Sequence, residues 1–259
     1  MRKHDSGRSS WNGATHGPEP APTWLVTESA AVDTELGLIK TGKEADVHLV
    51  RRAVPGARGT LLAAKRYRPA ERRMFHRDAA YQEGRRVRRS RETRAMAHRT
   101  EFGREVLAGQ WAAAEFGALS TLWRAGAPVP YPVQLSGTEL MLEFVGGDNG
   151  LAAPRLAQYR PAPSEVADLF EQCREAMRRL ARAGYAHGDL SPFNILVHRE
   201  RLVLIDLPQV VDLVANPRGL EYLRRDCVNV CRWFIARGLD TAECEYLLAD
   251  LIAEAVGAG

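Results

Sequence analysis

Midway along the chain the spacing of its apolar residues changes period, and this limits the fold more than any single motif. In the first half, Leu38-Ile39-Lys40 and Asp46–Val50 read as two strands around the loop Thr41-Gly42-Lys43-Glu44-Ala45. Leu61–Tyr67 is a third strand after a turn at Pro55-Gly56, and Glu139–Val145 is a mostly apolar strand closed by Gly146-Gly147. One long helix is expected between them, from about Glu105 to Ala125, stopped by Gly126 and Pro128. Thr23–Glu35 also carries helix-compatible residues, with Gly37 as its stop. In the second half, Val166, Leu169, Phe170, Cys173, Met177 and Leu180 recur at the roughly 3.6-residue period of a helix, with Ser164 as N-cap and Gly184 as stop. Ile195–His198 and Arg201–Ile205 form a tight hairpin around Arg199-Glu200, and further helices are expected over Pro217–Ala236 and Thr241–Ala255. Strands followed by helices define an α+β chain of two lobes with the joint near Gly146.

Composition narrows the class. Hydrophobic residues make up 45% and charged residues 26%, the balance of an ordinary globular protein. No segment reaches the roughly 18 apolar residues of a membrane span. Met1–Pro22 is rich in Ser, Gly, His and Pro without an apolar run, so it reads as a disordered tail rather than a secretory signal. Without an export signal, Cys173, Cys227, Cys231 and Cys244 are expected to be reduced core thiols, and the chain cytoplasmic. These features exclude secreted disulfide scaffolds, membrane spans, collagen and wholly disordered chains. The formal charge of +4 is unevenly spread: Arg66–Arg104 holds 13 arginines against five acids, a local +8. Such a block suits either a solvated insertion or contact with a polyanion, and its few aromatics do not make a base-stacking platform.

The chemistry concentrates in His187-Gly188-Asp189-Leu190-Ser191-Pro192-Phe193-Asn194, followed by Ile205-Asp206 at the end of the hairpin. The spacing H-x-D-x-x-x-x-N with a second Asp fits phosphoryl transfer, which depends on positioning and charge neutralisation more than on covalent chemistry. Asp189 is the candidate base for the incoming hydroxyl. Asn194 and Asp206 offer a neutral and a charged oxygen, a suitable pair for Mg²⁺ or Mn²⁺. Lysine is scarce, at positions 3, 40, 43 and 65 only. Lys65, on an apolar strand, is the candidate for phosphate oxygens, with Glu115 or Glu105 of the long helix as its partner.

Gly37–Lys43 matches a Walker A loop until Glu44 stands where a Ser or Thr is required, and the strand-like Asp46–Val50 follows where a helix N-terminus is required. A turn between antiparallel strands that places backbone N–H groups and Thr41 over phosphates fits the sequence better.

Thr41–Val47, Leu140–Gly146, His187–Leu196, Leu204–Gln209 and Glu221–Val230 together closely resemble the RIO family of atypical serine/threonine protein kinases. The resemblance runs from about Trp24 to Gly238. It implies a two-lobed protein-kinase-like fold with a trimmed helical C-lobe: an N-lobe over 23–145 and a C-lobe over 146–259. It further implies ATP as phosphoryl donor, Mg²⁺ held by Asn194 and Asp206, and Asp189 as base. Lys65 would contact phosphate, Thr41, Gly42 and Lys43 would form the nucleotide loop, and Glu143 to Val145 would meet adenine through the backbone.

The expected activity is protein Ser/Thr phosphorylation with autophosphorylation. Its alternatives are an ATPase switch through an aspartyl-phosphate at Asp206, acting on a ribosomal or rRNA partner met by the 66–104 segment, and a small-molecule phosphotransferase. The sequence departs from ordinary protein kinases in three places. Ile205-Asp206-Leu207-Pro208 replaces D-F-G, Gly188 replaces the arginine before the catalytic Asp, and only 19 residues separate Asp206 from Asp226, without A-P-E.

Overall fold

The computed structural model describes residues 9–68, 101–208 and 210–257, with only the backbone at 101–104 and 242. Its strands are β1 (Thr15–His16), β2 (Val32–Thr41), β3 (Ala45–Ala53), β4 (Thr60–Tyr67), β5 (Pro132–Ser136), β6 (Glu139–Glu143), β7 (Tyr185–Ala186), β8 (Ile195–His198), β9 (Arg201–Leu204) and β10 (Val211–Asp212). Its helices are α1 (Glu101–Arg124), α2 (Pro163–Arg182), α3 (Gly219–Ile235), α4 (Ala242–Glu245) and α5 (Leu247–Gly257). Residues 9–68, 101–120 and 131–152 make one compact unit, and the remaining described residues a second. The bridge Gly146↔Ala152 carries the first unit past the joint expected near Gly146.

The first unit is built on a six-stranded sheet in the order β1-β5-β6-β4-β3-β2, and every neighbouring pair is antiparallel. Ala108 and Ala112, small and one helical turn apart, let α1 lie close to Ala45 and Tyr67 of the sheet, with Trp111 and Leu135 at the margin. The expected helix over 23–35 is absent. Val32 pairs with Ala53 and Thr34 with Arg51, because β-branched residues here complete a ladder with β3.

The tail expected over 1–22 is also corrected, because residues 9–22 belong to the fold. Thr15 and His16 pair with Leu135 and Gln134, and the Tyr131 hydroxyl donates to the Pro18 carbonyl at 3.0 Å. Ser10 joins a buried polar cluster around Arg52, a fully buried guanidinium. Arg52 Nε donates to Asp33 Oδ1 at 2.7 Å and its Nη2 to Asp33 Oδ2 at 2.9 Å and Gln134 Oε1 at 2.9 Å. These contacts join segments distant in sequence, which local composition does not register. The basic block expected over 66–104 lies outside the described residues between 69 and 100. Of its described members, Arg66 pairs with Glu35 and Glu139, and Arg68 with Asp46.

In the second unit the apolar face of α2 is buried through Val166, Leu169, Phe170, Cys173, Met177 and Leu180. Phe170 meets Phe234 of α3 edge to face at 5.3 Å. Arg178 and Arg182 of α2 pair with Asp250 and Glu254 of α5. The N-cap of α2 is Ala162 rather than Ser164. Pro163 takes the first helical position, where its missing N–H costs nothing, and Glu165 accepts from the Ala162 N–H at 2.6 Å. β8 and β9 form the expected hairpin, with Arg199 and Glu200 both at positive φ as a type I′ turn requires. The four cysteines are free, and burial pushes the Cys173 and Cys227 thiols up to about 12, so they are inert core groups.

Burial alone would raise the Asp33 pKa, but hydrogen bonds from Arg52 and Ser10 and the Arg52 charge hold it below the ordinary value of 3.8. A depressed folded value means that the stability Asp33 supplies is complete above 3.8 and is lost as pH falls through the folded value. Arg52→Met strands the Asp33 carboxylate and should destabilise the protein by about 3 kcal/mol at neutral pH. Thermal melts of both proteins from pH 7 downward should show that gap narrowing in acid.

Candidate active site

The first unit contributes a buried ion pair. Lys65 of β4 and Glu115 of α1 are almost fully inside the protein, with Nζ to Oε1 at 2.8 Å. Glu115 follows Ala108 and Ala112 on the face of α1 turned to the sheet, whereas Glu105 is exposed, which settles the partner of Lys65. The Tyr67 hydroxyl donates to the second Glu115 oxygen, and Lys65 Nζ lies 5.4 Å from the Tyr67 ring centroid. Tyr67 is not among the site residues expected from the sequence. Its signal is position: two residues beyond Lys65 on a strand, it faces the same way.

The β2–β3 loop is a closed turn. The Gly42 N–H donates to the Ala45 carbonyl at 2.9 Å, and the Arg68 N–H to the Glu44 carbonyl at 2.9 Å. Hydrogen bonds from Arg68 and then Thr41 hold the Asp46 carboxyl below its ordinary range. Thr41 and Gly42 therefore use these donors to shape the turn instead of presenting them to phosphate, while Lys43 stands exposed at the tip. No P-loop helix follows, since β3 starts at Ala45. Beyond β6, Val145 is buried, and the Glu143 carboxylate accepts from the Tyr131 N–H at 3.0 Å while its own N–H donates to the Tyr131 carbonyl at 2.9 Å. The Glu143 side chain is thus a structural anchor.

In the second unit the segment 187–194 is held from several sides. Asp226, on α3 and 1% exposed, accepts from the Gly188 N–H through Oδ2 and the Leu190 N–H through Oδ1, both at 2.8 Å. These two amides flank Asp189, whose side chain is 61% exposed. Asn229, one turn further along α3, donates to the Leu190 carbonyl at 3.1 Å. His187 is buried, with Nε2 3.1 Å from the Ile205 carbonyl, which ties the segment to the stretch bearing Asp206. Asn194 Nδ2 donates to the Asp189 carbonyl at 2.9 Å, so its amide oxygen is the atom left to face a ligand. The Asn194 carbonyl accepts from the Ile205 N–H at 2.9 Å, and Asp206 sits in the left-handed region at φ 66°. A non-glycine residue there is strained, a state typical of functional positions.

Burial pushes the Asp226 carboxyl above its ordinary value, against the opposing pull of His187 and the two amides. In the sequence Asp226 stands out only within a matching segment and as the end of the short span after Asp206, and its role was missed. It occupies the apolar stripe of α3 with Leu223, Cys227, Val230 and Phe234, and an acid on a core stripe is the signal that could have revealed it.

The donor set fits a hard divalent ion. Asn194 and Asp206 would supply one amide and one carboxylate oxygen, and among the described residues no group of three or more His, Cys, Asp or Glu is placed to hold a metal. Mg²⁺ is commonly held by one or two protein oxygens, with phosphates and water completing its octahedron.

The two units have the architecture of a protein-kinase-like fold. The Rio2 kinase–ADP/Mg²⁺–phosphoaspartate complex from Chaetomium thermophilum aligns with a TM-score of 0.56 at 22% identity, over 87% of this chain and 67% of that one. The sequence model of the RIO domain matches residues 57–247, and the chain belongs to the RIO family. The RIO-type serine/threonine-protein kinase Rio1 of Haloferax volcanii is 43% identical over 130 residues, 50% of this chain and 43% of that protein. The serine/threonine-protein kinase RIO1 of Homo sapiens is 36% identical over 126 residues, 48% of this chain and 22% of that protein. This chain thus spans less than half the length of these curated relatives.

Asp226→Asn turns one amide N–H toward an NH₂ group and leaves it without an acceptor. The cost should be about 1–3 kcal/mol in urea unfolding. An unchanged midpoint would show that Asp226 does not carry the loop.

Proposed function

We propose that this chain is an ATP-dependent atypical protein serine/threonine kinase that requires Mg²⁺ and phosphorylates itself. The observation that carries this reading is the hydrogen-bonded stretch around Asp189, Asn194 and Asp206. The Asn194 side-chain amide donates to the Asp189 carbonyl, the N–H of Ile205, next to Asp206, donates to the Asn194 carbonyl, and Asp226 anchors the amides on either side of Asp189. Asp189 would orient the attacking hydroxyl and accept its proton. Asn194 and Asp206 would hold the divalent ion, which supplies charge neutralisation on the phosphates. Lys65, oriented by Glu115 and Tyr67, would contact phosphate oxygens as a point charge. Lys43 would meet the nucleotide from the turn shaped by Thr41 and Gly42, and the backbone from Glu143 to Val145 would receive adenine.

Membership in the RIO family and the serine/threonine kinase names of the relatives support the same reading. The +8 block supports rRNA as a polyanionic partner, which a steep salt dependence of binding would check. Among the described residues no helix is long and apolar enough to cross a membrane, and we assign the chain to the cytoplasm.

Incubation with γ-labelled ATP and Mg²⁺ should leave label on the protein that survives acid and hydroxylamine. A hydroxylamine-labile label lost in Asp206→Asn would replace this reading with an aspartyl-phosphate ATPase. Asp189→Asn should lower turnover roughly 10²–10⁴-fold with ATP affinity retained. Lys65→Met should reduce turnover as well, and unchanged rates would remove Lys65 from the site.

A further inference from the structure

Gly188 stands where ordinary protein kinases carry an arginine beside the catalytic aspartate. Its φ of 81° is a conformation that an L side chain adopts only under strain, so the loop as built does not accommodate arginine at this position. A guanidinium reaches the same place from elsewhere. Arg225, on α3 immediately before Asp226, donates through Nη2 to the Gly188 carbonyl, and that nitrogen lies 4.0 Å from Asp189 Oδ1. Its guanidinium carbon sits 5.0 Å from the Tyr222 ring centroid, one helical turn back.

Two consecutive residues of α3 therefore grip opposite sides of the same stretch. Asp226 takes the N–H groups of Gly188 and Leu190, and Arg225 takes the Gly188 carbonyl. The Asp189 and Arg225 side chains are both about half exposed, at 61% and 49%, so their attraction is screened by water and contributes little to stability. The contact is a matter of geometry: a planar fork lying over the Tyr222 ring can bond a carbonyl with one nitrogen and still face a carboxylate.

We infer that Arg225 is a positioning residue for phosphoryl transfer, fixing the Gly188 peptide and the direction of Asp189 in place of the absent loop arginine. The inference rests on the kinase reading above. Misplacing a base by about an ångström can cost on the order of 10²-fold in rate. Arg225→Ala should therefore lose turnover on that order with ATP affinity unchanged.

The test combines three measurements on the full chain: amide hydrogen exchange over 187–194 without nucleotide, ATP affinity, and ATP turnover with Mg²⁺. They are made on wild type, Arg225→Lys and Arg225→Ala, each with thermal melts to verify folding. Support requires faster exchange at Gly188 in Arg225→Ala, lower turnover at unchanged ATP affinity, and recovery of turnover by added guanidinium but not by equal urea. Arg225→Lys, folded and charged but without the planar fork, should recover only part of the rate. Unchanged exchange, or turnover equal to wild type in a folded Arg225→Ala, would overturn the role of Arg225. Faster exchange in the variant with no ATP turnover in any protein, wild type included, would sustain the contact and overturn the kinase reading instead.

Discussion

The arrangement of the loop at residues 187–194 depends on one buried carboxylate. Asp226 gives up hydration to sit in the core, which pushes its pKa up, and it recovers the loss through two short bonds to the amides on either side of Asp189. A loop of polar residues would otherwise be free to sample many conformations. With its backbone bonded to α3 at residues 188 and 190, Asp189 keeps its side chain at the surface while the amides on either side of it are pinned to the core. Asn194 is bonded in turn to the Asp189 carbonyl, and residue 205 to Asn194, so the order reaches the residue next to Asp206.

The Lys65–Glu115 pair follows the same logic in the first unit. Burying two charges is costly, and such a pair contributes less to stability than apolar residues of equal volume would. Its value is positional. Ala108 and Ala112 bring α1 close enough for Glu115 to meet Lys65, and Tyr67 satisfies the remaining carboxylate oxygen. Both units thus use a buried acid to orient a group of opposite or complementary polarity.

Much of this was legible from sequence because it is encoded locally. Asp189, Asn194 and Asp206 stand at characteristic spacings, Lys65 is a rare lysine on an apolar strand, the strands β3, β4 and β6 follow their apolar residues, and the α2 stripe marks its buried face. The choice between Glu105 and Glu115 needed the helix face that packs on the sheet. What escaped is encoded at long range. Ser10 reaches Gln134 across 124 positions and Arg52 reaches it across 82, so nothing near residue 10 signals that it is ordered. Asp226 lies 36 to 38 positions from the amides that it holds, and it is conspicuous only as an acid within a core stripe.

On the proposed reading Asn194 and Asp206 would make a two-oxygen seat for the divalent ion, whose remaining ligands come from nucleotide phosphates. Electron paramagnetic resonance of Mn²⁺ with the protein, with and without ATP, tests it most directly. Mn²⁺ should bind weakly alone and strongly when ATP is present, and Asp206→Asn should lose that cooperation. Equal Mn²⁺ affinity in the presence and absence of ATP, or cooperation undiminished in Asp206→Asn, would contradict it.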